Sequence, residues 1–390
     1  MTAPRAVSTP VETFHCCICQ IGNVSEIPEY REFRRITSDC RAWPAGGCLG
    51  VCDRCGAAQK PADATFLSEI NDIYASYAIY SQGLGAEQAV FTRNSGLPES
   101  RSVRLLELLK SQADLPKTGR MLDVGCGNGA TLRAFGSLFE EWTMAGTELN
   151  DTYSHEVASI PRTEPLHVCS ADSVPGTFDL ITMIHVLEHV IEPVGFLKSI
   201  QAKLSPGGLL LVEVPHHLHN PFELLIADHR SHFTLATLGM ALNMAGYEIL
   251  VAADDWIPRE LFLVARVADE ARGSKADALV NPLVARQHVV DSLQWLQRTA
   301  SAARSLSSTA PIGLFGTSIA GTWICAEVGD GIEFFVDEDP HRIGLAYLGK
   351  PIRSPQEVPK GSRVFVGLPS AVAAAVCNRL GIGTYVPPPA

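Results

Sequence analysis

The sequence predicts an α/β protein. At its centre is a doubly wound parallel sheet, with a cysteine-rich module in front of it and a smaller strand–turn–helix unit behind. Three observations predict this. An apolar run, Met121-Leu-Asp-Val, stops at Asp123 and gives way to Gly125, Gly127 and Gly129, after which a helix-like pattern resumes at Thr131. From there strand-like and helix-like stretches alternate, as they do when helices wrap a parallel sheet. Finally, seven of the eleven cysteines fall between Cys16 and Cys55.

The bulk properties set the frame. A chain of 390 residues suggests two or three domains, and 46% hydrophobic residues are enough for a sizeable core. The formal charge of −11 and the absence of a basic block argue against nucleic acid as the main partner. No apolar run reaches the roughly 18 residues that span a bilayer, and Met1-Thr-Ala-Pro-Arg-Ala lacks the apolar centre of a signal peptide. A soluble, cytoplasmic protein with no membrane partner is therefore expected; the sequence leaves the oligomeric state open.

The head is read first. Cys16-Cys-Ile-Cys19 and Cys52-Asp-Arg-Cys55 are two Cys-x-x-Cys knuckles 32 residues apart. Each can present two thiolates to one tetrahedral Zn²⁺. The stretch between them has too few apolar groups for a core of its own, a lack that a structural zinc offsets. Cys17, Cys40 and Cys48 are surplus, and His15 could replace a ligand. A redox or catalytic role is the competing reading; a redox motif, however, comes singly beside a βαβ unit rather than in pairs flanking a loop.

Past the knuckles, Tyr74, Tyr77 and Tyr80 recur at every third residue, a spacing that puts them on one helical face. The plain reading is a packing stripe between head and body. Gln82-Gly-Leu-Gly85 then breaks the pattern.

In the body, the residues from Ser102 to Leu109 read as an amphipathic helix, followed by the glycine turn. A turn without Cβ atoms lets a ligand lie against the backbone and tolerates positive φ. Dinucleotide folds share that layout. Asp-x-Gly-x-Gly-x-Gly, however, resembles the first motif of class I S-adenosylmethionine (SAM) methyltransferases. In that family the turn, here Asp123, Gly125, Cys126 and Gly127, passes the methionine end of the cofactor. Trp142-Thr-Met-Ala-Gly-Thr-Glu148 ends in a carboxylate about 20 residues on, where such folds bind a ribose diol; Glu148 and Leu149 are the expected contacts. Phe178-Asp-Leu-Ile-Thr-Met-Ile184 followed by His185-Val-Leu-Glu-His189 resembles the family's fourth motif, and Leu204-Ser-Pro-Gly-Gly-Leu-Leu-Leu-Val-Glu-Val-Pro215 the turn and strand after it. His185 thereby joins the expected SAM contacts.

Seven of the twelve histidines lie between His185 and His232. Histidine titrates near neutrality and serves as a general base, so the group is expected to hold at least one. A histidine-bound metal is the less favoured alternative.

Behind the body, the stretch from Asp269 to Ser308 is Ala-rich and reads as a linker helix. Pro311-Ile-Gly-Leu-Phe-Gly316 then opens a second strand–turn–helix, and Ile332-Glu-Phe-Phe-Val-Asp337 is its second strand. Gly313, Gly316 and Gly321 depart from Gly-x-Gly-x-x-Gly, which speaks against tight binding of NAD(P).

The order of these parts resembles the sugar C-methyltransferase family over nearly the whole chain. The resemblance implies a class I SAM-methyltransferase sheet, an N-terminal zinc-binding module and a smaller C-terminal Rossmann-like domain. It further implies a 4-keto deoxysugar on a nucleoside diphosphate as substrate, methylated at carbon. The family's Tyr-His-Glu-His stands here as Ile226-Ala-Asp228-His229, without the tyrosine. His229 is thus the expected base, Asp228 the carboxylate orienting it, and His189 and Tyr80 the groups near the substrate. The expected cofactors are SAM and a structural zinc on Cys16, Cys19, Cys52 and Cys55. The expected layout is a zinc-binding module over 1–62, a helical linker over 63–100, the methyltransferase domain over 101–270, a second helical linker over 271–308 and the C-terminal unit over 309–390. An O- or N-methyltransferase of a sugar or another small metabolite, and a non-catalytic protein binding SAM or a nucleotide sugar, are the alternatives.

Overall fold

The computed structural model describes residues 13–78, 87, 89–91, 98–269 and 281–390. In the head, β1 (Thr13–His15), β2 (Asn23–Glu26), β3 (Gly50–Cys52) and β4 (Ala58–Gln59) pair antiparallel in that order. Helix α1 (Ala64–Tyr74) follows, its first turn capped by Asp63, whose carboxylate accepts from Phe66 N. The expected helical linker over 63–100 is corrected here. The helix stops at Tyr74, and Ala89–Phe91 pairs antiparallel with Pro98–Ser100. Glycines at 83 and 85 interrupt the helical period in the sequence, and the chain beyond them uses strand pairing instead.

The body begins with α2 (Arg101–Gln112) and β5 (Gly119–Val124). After them come α3 (Ala130–Leu138), β6 (Trp142–Glu148), β7 (His167–Val168), β8 (Phe178–Ile184) and β9 (Leu204–Pro215). The strand β10 (Ser231–His232) leaves this body and pairs with β4, completing the head's five-stranded sheet. Next are α4 (Leu235–Met244), β11 (Tyr247–Ala253) and β12 (Glu260–Val267). The central sheet has the order β7-β6-β5-β8-β9-β12-β11. Its first five strands are parallel, as expected. β12 runs antiparallel to both its neighbours, because the loop from β11 is too short to hold a crossover helix.

Both faces of this sheet are covered. Leu122, Ile181 and Val212 feed one buried cluster, while Met121, Leu180 and Leu211 feed the other. That is why these strands read as nearly unbroken apolar runs rather than as alternation. Phe135, Phe139 and Trp142 stack on the second face, the two phenylalanine rings 4.3 Å apart.

Beyond the body, α5 (Pro282–Ser307) is the expected linker helix, but it is also packed. Arg286 donates to the carbonyls of Ser25 and Glu26, which ties the helix to the head. The tail sheet is built on β13 (Ile312–Phe315), α6 (Ile319–Val328), β14 (Ile332–Val336), β15 (Lys350–Arg353) and β16 (Val364–Phe365). These strands are parallel in the order β15-β14-β13-β16. Trp323 of α6 is buried against Phe33 and Phe222 and donates to Arg34 O at 3.1 Å. Truncating such an aromatic to alanine typically costs about 3–5 kcal/mol, and here it would open the seam between head and tail. No described helix is long and apolar enough to cross a membrane.

Candidate active site

A cavity of about 990 Å³ opens at the carboxyl ends of β5, β6, β8 and β9, the edge at which open α/β sheets bind ligands. Its walls come from every part of the chain. Ser38 to Cys40 belong to the head; Tyr74 lies at the end of α1, Tyr77 just beyond it, and Ser318 to Ala320 lie at the start of α6.

The glycine turn forms one end. Gly125, Gly127 and Gly129 have φ of 67°, 52° and 81°, the left-handed region in which a Cβ is strained. A Cβ on Gly125 would come within 2.7 Å of the Val186 side chain, and one on Gly129 within 2.5 Å of Ile160. Gly127 N donates to Glu148 Oε1 at 2.7 Å, and Leu149 N to Glu148 Oε2 at 3.2 Å, so both amides fix the carboxylate at the end of β6. Leu149 itself is 80% exposed. Cys126 is buried but lines the cavity. Asp123 accepts from Thr182 Oγ1 at 2.6 Å, and burial, outweighing that bond, pushes its carboxyl up to about 7.

His185 holds a left-handed backbone, φ 55°. Its ring is engaged on both sides, by Arg101 at Nε2 and by Glu188 at Nδ1, 3.1 Å away. A guanidinium only donates, so Nε2 accepts and Nδ1 carries the proton. Burial, and then the Arg101 charge, hold this imidazole well below its ordinary pKa. His185 is therefore a positioned neutral ring at the cavity wall.

A second cluster lies on the same cavity wall. His189 and His229 meet edge to face, their centroids 4.5 Å apart. His189 Nδ1 lies 2.9 Å from Tyr74 Oη, 3.2 Å from Asp228 O and 3.4 Å from the Asp228 carboxylate. His229 Nδ1 lies 2.5 Å from Glu223 Oε1. Among the described residues neither ring has a hydrogen-bond partner at Nε2, and both rings line the cavity. Burial lowers His229 to about 3, and burial together with the neighbouring His229 lowers His189 to about 4. Burial raises Glu223 to about 8, against the pull of Lys60.

One expected role is corrected. Asp228 does not orient His229. Its carboxylate accepts from Ser38 N at 2.8 Å and Ser38 Oγ at 2.5 Å and faces His189. Burial pushes the carboxyl up, but His189, His229 and these bonds together hold it below its usual range. Glu223 holds His229 instead. Tyr80 lies outside the described residues; of the tyrosine stripe, Tyr74 touches His189.

Lys60, unnoticed in the sequence, is fully buried beneath this loop. It donates to Ile226 O at 2.6 Å and His229 O at 2.8 Å, and its ammonium lies 3.0 Å from His232 Nε2. Glu223 and Lys60 carried no motif. A carboxylate six residues before His229, and a lysine just after a short apolar run, were the only traces.

In the head, the sulfurs of Cys16, Cys19, Cys52 and Cys55 converge, with Cys16–Cys55 and Cys19–Cys52 both 3.6 Å apart. A tetrahedral zinc with bonds of about 2.3 Å places its sulfurs about 3.8 Å apart, so the four residues fit that ion. Gln59 Nε2 and the amides of Ile18 and Cys19 point at Cys16 Sγ, the outer hydrogen bonds that thiolate ligands draw. Cys17 pairs with Ser231 instead, and His15 is exposed and outside the cluster.

In the tail, the Asp337 carboxylate is taken up by its own turn. Thr317 Oγ1 and the amides of Glu338 and Asp339 donate to it, at 2.6, 2.8 and 3.0 Å.

Comparison with known proteins bears on the body. Residues 99–252 match the family model described as a methyltransferase domain. The ubiquinone biosynthesis O-methyltransferase of Xanthomonas campestris is 28% identical over 128 residues, 31% of this chain and 53% of that protein. The mitochondrial ubiquinone biosynthesis O-methyltransferase of Schizosaccharomyces pombe is 33% identical over 100 residues, 24% of this chain and 36% of that protein. The chain spans about half the length or less of these curated relatives. Among solved structures, an S-adenosylmethionine-dependent methyltransferase of Clostridium acetobutylicum aligns with a TM-score of 0.36 at 12% identity, over 52% of this chain and 98% of that one. The mitomycin 7-O-methyltransferase aligns with a TM-score of 0.38 at 17% identity, over 43% of this chain and 53% of that one.

Proposed function

We propose that this chain, whose residues 99–252 are a methyltransferase domain, moves a methyl group from SAM to a carbon of a nucleotide-linked keto deoxysugar. The observation that carries the reading is the continuity of the cavity. It runs from the glycine turn, past His189 and His229, to the start of α6.

The residues at the first end fit SAM. The turn has no side chains to exclude an adenosine or a methionine, and the Glu148 carboxylate is fixed by two amides where a ribose diol would meet it. When bound, SAM supplies an electrophilic methyl group. Cys16, Cys19, Cys52 and Cys55 hold a structural zinc in this account. At the far end, the amides of Ser318 to Ala320 at the helix N-terminus suit a diphosphate. Arg342 lies in the same wall, its guanidinium shared with Thr317, Asp337 and Asp339.

Between the two ends sits the acid–base chemistry. A carbon beside a ketone is acidified because its anion is an enolate. His229 Nε2 takes that proton while Nδ1–H faces Glu223, and the Tyr74–His189 pair on the same wall can donate to the oxygen that gains charge. With SAM bound, that carbon would take the methyl group as the bond to sulfur breaks, and S-adenosylhomocysteine would leave. O-methylation is the second reading, favoured by the curated relatives named above. It needs the same base, applied to a hydroxyl.

Native mass spectrometry of the full chain tests the substrate class. One zinc, one SAM and one nucleoside-diphosphate keto-deoxyhexose on each chain is the expected result. Zinc and SAM without any uptake of nucleotide sugar would keep the methyltransferase and reject the sugar.

A further inference from the structure

The histidines that follow β9 include a group that the proposed reaction does not use. His216 is 4% exposed, and among the described residues neither of its ring nitrogens has a hydrogen-bond partner. Burying an imidazole with both nitrogens unsatisfied is costly, so the site is incomplete as it stands. Two potential partners are beside it. His219 lies on the same turn, its ring 4.1 Å from that of His216, and the Asp254 carboxylate comes from the loop after β11. One donor atom from each of the three lies within 4.8 Å of the others.

We propose that His216, His219 and Asp254 form a second divalent-metal site, separate from the cysteines of the head. Two imidazoles and one carboxylate are a donor set for zinc, cobalt or nickel, with a fourth position open to water. His219 and Asp254 are exposed, which gives an ion a way in. In a competing cluster, Glu223, His229 and His232, both Nδ1 atoms already face the Glu223 carboxyl, at 2.5 and 3.3 Å, so its donors are partnered as they stand. The proposed ion ties the turn after β9 to the β11–β12 connection, so it braces the cavity wall where Asn220 and Arg259 enter it.

Cobalt(II) titrated into the full chain carrying a single equivalent of zinc, which the four thiolates take first, reads this directly. One cobalt per chain is expected beyond the zinc, with weak visible d–d bands and no thiolate-to-cobalt charge transfer. His219→Ala and, separately, Asp254→Asn should each abolish that binding while the zinc content stays unchanged; both residues lie at the surface, so both variants should fold. No cobalt beyond the zinc, cobalt seen only with thiolate charge transfer, or binding that survives both substitutions would overturn the proposal.

Discussion

His229→Ala should lower methyl transfer by roughly 10²–10⁴-fold, the range for loss of a positioned general base, and leave SAM affinity unchanged. The separation is geometric. His229 sits in the loop before β10, whereas the glycine turn follows β5 and Glu148 ends β6. The same pair sets the pH dependence. Burial raises the Glu223 carboxyl to about 8. Below that pH the carboxyl is protonated and donates to His229 Nδ1, which leaves the ring's own proton on Nε2, where it blocks the base. Above it the carboxylate accepts Nδ1–H and frees Nε2. Turnover should therefore rise as pH rises through about 8, as an apparent value of the coupled pair. In Glu223→Gln that limb should vanish, because glutamine does not titrate. A steady-state pH profile checks this; a limb unmoved in the glutamine variant would remove Glu223 from the account.

Chelating the zinc should abolish turnover while SAM still binds. Structural zinc contributes on the order of 10–16 kcal/mol to small modules of this kind. The knuckles need it, because the head's larger apolar residues, Ile27, Phe33 and Val51 among them, belong to a different buried cluster from the four cysteines. The head in turn holds the catalytic loop. Ala227 N donates to Ile36 O at 2.7 Å, Ser38 holds Asp228, Lys60 N donates to Arg230 O at 3.0 Å, and β4 pairs with β10. Losing the head frees His229 and His189 together. Calorimetric titration of SAM into holo and chelated protein, alongside a turnover assay, separates the two ends of the cavity. Full activity in chelated protein would show that the head does not position the loop.

Much of this was legible in the chain. Three glycines at alternate positions announced a left-handed turn, and apolar runs covered on both faces announced buried strands. The paired knuckles gave four sulfurs that do converge. What was hidden depends on residues far apart in sequence. Lys60 meets His232 across 172 positions, and no local period marks a strand that deserts one sheet for another. Asp228 and His229 are neighbours, yet their side chains serve different partners, Ser38 with His189 and Glu223 respectively. Adjacency in sequence therefore misassigned the carboxylate. The spacing of three tyrosines promised one helical face, but α1 ends at Tyr74, which reaches His189, and Tyr77 lies beyond the helix.

Transfer of a methyl group to a sugar carbon at the His189–His229 pair has a direct readout. SAM carrying a ¹³C-labelled methyl, incubated with the protein and a nucleoside-diphosphate keto-deoxyhexose, reads the product by carbon NMR. A labelled methyl in the aliphatic region, coupled to a ring carbon and absent with His229→Ala, is the predicted result. A labelled methoxy signal, or label that never reaches the sugar, would contradict it.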